Sequence, residues 1–162
     1  MLGSLLLTED DTKHLKNYEL VTQEEGVGDV LNALDRVDRY ALDLETTGLD
    51  WIRDTIHGIC LATHDREWYV THGAAKAIIP GLSEIVNNPN KVMIGHNLKF
   101  DFHFMERHGM RCTNFLDTMI AQFMIDENQR LSLKEQAFLQ MGLDERLPGF
   151  KDLLGATKTV SY

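Results

Sequence analysis

Ala41-Leu42-Asp43-Leu44-Glu45-Thr46-Thr47-Gly48-Leu49 is the stretch whose reading decides the fold. Alternation puts Tyr40, Leu42 and Leu44 on one face of a strand, and Ala41, Asp43 and Glu45 on the other. One face is built for burial; the other carries two carboxylates at i and i+2, projecting to the same side. Ionised groups in an otherwise apolar strand are costly unless a cation or a hydrogen-bond network compensates them. Two convergent carboxylates begin an oxygen-ligand site for a hard divalent cation. The plainer alternative is an edge strand with two solvated acids. The strand runs into Thr46-Thr47-Gly48-Leu49, a turn whose backbone N–H groups suit a phosphate or a sugar.

Outward from this strand, the chain reads as alternating strands and helices. Tyr18–Gln23 reads as a strand, and Val27, Val30, Leu31, Leu34 and Val37 recur at helical spacing. Ile56–Thr63 and Glu67–Thr71 read as a hairpin around His64–Arg66. Then come a helix at Ala74–Val86 through Pro80, a short strand at Lys91–Ile94, and a helix at Asn97–His108 ended by Gly109. Asp117–Ile125 is a further helix. Leu131–Met141 follows, opened by Ser132 with Glu135 three residues on and closed by Gly142. The order predicts an α/β fold on a mixed sheet, in a single domain 1–162 with its core at 18–142 and a loop region at 143–162.

Composition narrows the function classes. The chain has 162 residues, with 16 Lys plus Arg against 25 Asp plus Glu, a net charge of −9. That balance argues against broad electrostatic capture of a nucleic-acid duplex, but not against local carboxylates that hold metal ions. No apolar run approaches the ~20 residues of a membrane span. Met1–Leu7 is apolar but lacks a basic flank and runs into Glu9, Asp10 and Asp11, a solvated acidic run rather than part of a secretory signal. Cys60 and Cys112 form no C-x-x-C pair, so a reduced, cytoplasmic compartment is the expectation.

A second constellation is Gly95-His96-Asn97-Leu98-Lys99-Phe100-Asp101, which follows the apolar Val92-Met93-Ile94. Asn97 is expected to cap the helix that opens there, with Asp101 in its first turn. On an ordinary amphipathic helix Asp101 would be a surface acid near the positive end of the dipole. Phe100, Phe102 and Phe104 crowd both sides of it and favour partial burial.

Together these segments resemble the first two motifs of the DEDD exonucleases, the second in the Asn-x-Lys-x-Asp form of the proofreading domain of family-A (polymerase I-type) DNA polymerases. The hairpin, Leu116-Asp117-Thr118-Met119 and Leu131-Ser132-Leu133-Lys134 also match that domain in order and spacing, so the resemblance runs from about Val21 to Tyr162. It implies a ribonuclease-H-like mixed sheet flanked by helices, and 3′→5′ hydrolysis of phosphodiesters at the 3′ end of single-stranded DNA with two Mg²⁺ or Mn²⁺ ions. Asp43 would bridge both metals, Glu45 would bind the one that activates water, and Asp101 would hold the second. Hard oxygen ligands argue against zinc. Thr46 and Leu49 match positions that contact the terminal nucleotide, and Asn97 and Lys99 match the polar positions of the second motif. Asp117 reads as the N-cap of its own helix rather than as a ligand.

The resemblance breaks at its end. The family's fourth carboxylate, preceded at Tyr-x-x-x-Asp or His-x-x-x-x-Asp spacing by a water-orienting residue, has no counterpart here. The spacing from His96 to Asp101 lies inside the second motif and reads as coincidence. On this reading the domain is truncated about one helix short of its active site. A partner, such as a polymerase-like chain, would supply the third motif, and an apolar surface would stand uncovered. The alternative is a catalytically inactive module that binds nucleic acid or a polymerase. A zinc site from His96, Asp101 and His103 is poorly spaced. Met105, Met119, Met124 and Met141 read as core packing. Trp51 reads either as a base-stacking residue or as a loop aromatic over the core edge.

Overall fold

The computed structural model describes residues 18–141. Met1–Leu7, the acidic run at Glu9–Asp11, Gly142 and the loop region at 143–162 lie outside them. In chain order the elements are β1 (Tyr18–Val21), a 3₁₀ turn (Glu24–Gly26), α1 (Val27–Asp35), β2 (Arg39–Thr46), β3 (Ile56–Ala62) and β4 (Glu67–Thr71). There follow α2 (His72–Val86), β5 (Val92–Gly95), α3 (Leu98–Glu106), β6 (Phe115–Asp117), α4 (Thr118–Ile125) and α5 (Leu133–Met141).

The six strands form one mixed sheet in the order β1-β4-β3-β2-β5-β6. β2, β3 and β4 are an antiparallel meander, β5 and β6 continue parallel to β2, and β1 lies parallel to β4 at the far edge. The α/β class and the mixed sheet agree with the sequence pattern. β6 is the element that periodicity did not reveal, because three residues are too few to carry a period.

The alternation in β2 sorts its side chains as expected: Tyr40, Leu42 and Leu44 are buried, while Asp43 and Glu45 face solvent. The buried face continues through Ile59, Leu61, Trp68, Val70 and Met93, and Val30, Leu34, Ile78 and Leu82 of α1 and α2 pack into the same core. Leu98, Phe104 and Met105 extend that core from α3. The opposite face carries the small side chains Ala41, Cys60 and Ala62 beside Glu67 and Tyr69, and with His96, Thr118 and Leu133 it forms an open groove of about 610 Å³.

Met105 is fully buried, but Met124 is not core: it is 80% exposed, alongside Ile125 at 79%. The reason lies in α4, where Gln122 is the buried residue and the apolar positions encircle the helix. Ile120 and Phe123 of α4 and Phe115 and Leu116 of β6 are also exposed, so the described residues leave an apolar stripe at this edge.

Lys91 ties the two halves of the fold together. Its Nζ donates to the carbonyls of Leu34, Asp35 and Val37 at 3.1, 2.7 and 2.8 Å, closing the C-terminal end of α1 from the residue before β5. A buried ammonium is tolerated there because three carbonyls and the negative end of the helix replace its water. Lys91→Met should lower the unfolding free energy by about 2 kcal/mol, since charged hydrogen bonds are lost and carbonyls are left buried without a donor. Urea denaturation of the two proteins measures this.

Candidate active site

The site begins with an unpaired strand edge. β5 pairs with β2 along Arg39–Ala41 and then ends, so beyond Ala41 that edge of β2 needs other partners for its amides. Leu44 N–H donates to Asp101 Oδ1 at 3.1 Å across 57 residues of sequence. Leu44 lies between Asp43 and Glu45, so the carboxylate of α3 is seated at the strand edge between the other two. Asp101 is 2% exposed, a deeper burial than the flanking phenylalanines suggested. Gly95 permits the close approach: a Cβ there would press on the Leu98 side chain and lie 3.1 Å from the Leu42 carbonyl.

Asn97 does not cap α3. It adopts a left-handed conformation (φ 63°, ψ 42°), and its side chain satisfies no helix N–H. Asn tolerates that region better than most residues, which lets the chain turn sharply from β5 into α3. Asp117 does the capping instead. Its carboxylate accepts from Asn97 N–H and Leu98 N–H at 3.1 and 2.8 Å, and from Met119 N–H and Ile120 N–H at 2.9 and 3.4 Å. One carboxylate therefore closes the N-termini of α3 and α4 together. Burial pushes its pKa up, but the four amides outweigh burial and hold it below the ordinary carboxylate range.

The other acids behave oppositely. Burial raises Asp43, with His96 opposing, and burial plus the Asp43 charge raises Glu45. Asp101 is pushed up to about 7, by burial first and then by Asp43, against the Leu44 hydrogen bond. Cys60 pairs with Asp43 across β3, and donor atoms of Asp43, Glu45 and Cys60 lie within 4.8 Å of one another. Among the described residues this is the one group of His, Cys, Asp or Glu close enough to share an ion; it includes neither His103 nor Asp101, whose carboxylate stays on the Leu44 amide. Sequence reading missed Cys60. The signal was its position between the inward Ile59 and Leu61, which turns it to the face that carries Asp43.

His96 is oriented by Thr118. The Thr118 hydroxyl donates to the Gly95 carbonyl at 3.0 Å, so His96 Nδ1, 2.9 Å from the same hydroxyl, must be the donor to it. Neutral His96 then carries its lone pair on Nε2, and the residue lines the groove with Asp43.

The loop after β2 forms the rim. Thr46 Oγ1 donates to the Gly48 carbonyl, and Arg107 donates to the carbonyls of Trp51 and Asp54. Leu49 stands 84% exposed, and Trp51 stacks on His103 at 5.2 Å. Lys99 is not gathered with the carboxylates. It lines a neighbouring cleft with Phe102, His103, Glu106, Phe115, Asp117 and Ile120.

Two expectations follow from these contacts. Asp101 has its folded pKa raised from 3.8 to about 7, so its contribution to stability is complete below the unfolded value and lost as pH rises through 7. In chelator, wild-type stability should fall across that window, whereas Asp101→Asn should show a flatter profile and exceed wild type at pH 8, read by thermal unfolding at each pH. Asp117→Ala removes the cap of two helices and should cost about 2–3 kcal/mol in urea denaturation. Asp117→Asn, which keeps one acceptor oxygen, should lose less.

The architecture agrees with comparisons to known proteins. A family model described as 3′-5′ exonuclease matches residues 18–145. DNA polymerase I of Borreliella burgdorferi is 29% identical over 132 residues, covering 76% of this chain and 14% of that protein. DNA polymerase I of Aquifex aeolicus is 30% identical over 109 residues, covering 67% and 18%. The chain thus spans less than a fifth of the length of these relatives. In fold, it is similar to the catalytic core of RRP6 from Trypanosoma brucei (TM-score 0.68, 18% identity, covering 78% of this chain and 35% of that one). It is also similar to Escherichia coli RNase D, an exoribonuclease involved in structured RNA processing (TM-score 0.68, 17% identity, covering 88% and 38%). With the exonuclease model matched across the described sheet and helices, this chain belongs to the 3′-5′ exonuclease domain family of the family-A DNA polymerases.

Proposed function

We propose that this chain removes nucleotides from the 3′ end of single-stranded DNA by phosphodiester hydrolysis, with two Mg²⁺ or Mn²⁺ ions held by Asp43, Glu45 and Asp101. The observation that carries the reading is the Asp101 carboxylate seated on the Leu44 amide, between the two carboxylates of β2. Burial raises all three groups, and like charge adds to the rise at Glu45 and Asp101, the electrostatic mark of a site short of positive charge. Hard oxygen donors on that footing suit Mg²⁺ or Mn²⁺. Such ions, when bound, lower the pKa of an attacking water and offset charge on the departing 3′ oxygen.

The chain's own residues orient the substrate. Leu49 and Ile52, exposed at 84% and 65%, give the terminal base an apolar lip, a contact that tolerates any sequence. Arg107 holds that loop by two backbone carbonyls, so the lip keeps its place relative to the C-terminal end of α3. Thr46 and Asn97 stand at the ends of the two motifs, within reach of the last nucleotide. Lys99, in the adjoining cleft, suits a phosphate further along the strand. His96 Nε2 offers a proton acceptor in the groove.

The partner proposed for this domain is a polymerase-like chain. The apolar stripe of Ile120, Phe123, Met124 and Ile125 gives such a partner a surface to cover. The RNases among the structural neighbours make RNA the competing substrate. The test is release of the terminal nucleotide from 3′-labelled DNA and RNA strands in Mn²⁺, with and without a polymerase-like partner. Asp43→Ala should lower the rate by about a hundredfold or more, since even outer-shell partners of a metal site reach that scale. Equal product from wild type and Asp43→Ala overturns the reading. Strand binding without turnover, partner present, selects the inactive-module alternative.

A further inference from the structure

The sequence argued against zinc because the expected donors were all oxygen; the fold adds a sulfur. β3 turns Ile59 and Leu61 into the core, at 0% and 2% exposure, and so turns Cys60 to the groove. There it stands directly opposite Asp43 in the antiparallel register. We infer that Cys60 converts the Asp43–Glu45 pair into a mixed oxygen-and-sulfur site that captures a thiophilic divalent cation, of the Zn²⁺ or Cd²⁺ class, in preference to Mg²⁺. This rests on the reading of Asp43 and Glu45 as cation ligands and assigns Cys60 as the residue that sets which cation is kept.

The geometry supports it. One donor atom from each residue lies within 4.8 Å of the other two. Donors around a single zinc, with Zn–S about 2.3 Å and Zn–O about 2.1 Å, are about 3.5 Å apart, so closing the site is a matter of side-chain rotation. Asp43 and Glu45 face solvent and Cys60 is half-buried, so an ion reaches them from the open groove. Ala41 and Ala62 line the groove beside the site, and Tyr69 stands on the far side of Cys60 in the antiparallel register. A sulfur donor adds to the affinity of a soft or borderline ion, and adds nothing for Mg²⁺, which keeps its water reluctantly exchanged and its ligands oxygen. As the metal–sulfur bond forms, the Cys60 S–H proton passes to water; nothing is oxidised or reduced. Three protein donors leave one position of a tetrahedral ion open. An ion so held occupies the place where the same two carboxylates would hold Mg²⁺, so the two cations compete for one site.

The test follows sulfur directly. Cd²⁺ is titrated into the metal-free full-length chain while the ultraviolet thiolate-to-cadmium charge-transfer band is recorded, for wild type, Cys60→Ser, Cys112→Ser and Asp43→Ala. The expected result is a band saturating at one equivalent in wild type and in Cys112→Ser, absent in Cys60→Ser, and requiring ~10-fold or more Cd²⁺ in Asp43→Ala. A band that persists in Cys60→Ser, that follows Cys112, or that ignores Asp43→Ala overturns the inference. A parallel Mn²⁺ thermal shift separates the two levels. A Mn²⁺ shift abolished by Asp43→Ala, with no Cd²⁺ band in wild type, leaves the cation site standing and removes Cys60 from it. Absence of the Mn²⁺ shift itself removes the underlying reading.

Discussion

The hydrogen bond from the Leu44 amide to Asp101 organises much of this molecule. A strand amide that loses its neighbour must find another acceptor, and β2 loses β5 just where its two carboxylates begin. The acceptor supplied is a third carboxylate, so one backbone requirement fixes Asp101 against the strand that carries Asp43 and Glu45. The cost is a carboxyl in a dry setting beside Asp43, visible as its upward shift to about 7. A structural bond and an electrostatic burden are here the same contact.

Asp117 makes that placement reproducible. By closing α3 and α4 at their N-termini, it fixes where α3 starts relative to β5 and β6, and hence where the first turn delivers Asp101. The left-handed turn at Asn97 and the missing side chain at Gly95 serve the same end, bringing helix and strand closer than a bulkier chain would allow. The second motif is therefore a packing device as well as the source of the third carboxylate.

Much of this was legible in the sequence, for identifiable reasons. The faces of β2 follow from a period of two, and the hairpin from two such runs flanking a short polar turn. The caps show the limit. Asn97 looked like the cap of α3 because local chemistry favours it, whereas the true cap is 20 residues away, brought by a three-residue strand with no periodic signal. The burial of Asp101 depends on where β5 stops, a property of strand pairing that neighbouring residues do not encode. Cys60 is intermediate: its face can be read from Ile59 and Leu61, but its neighbour only from the β2–β3 register.

The separation of Leu44 and Asp101 along the chain has a temporal side. The β2–β3–β4 meander closes over short loops, while the contact that seats Asp101 closes a loop of 57 residues. A partly folded or nascent chain can thus own its sheet and both strand carboxylates and still lack the third. The third carboxylate therefore reaches the edge of β2 only once that long loop has shut, which makes its arrival a late event of folding.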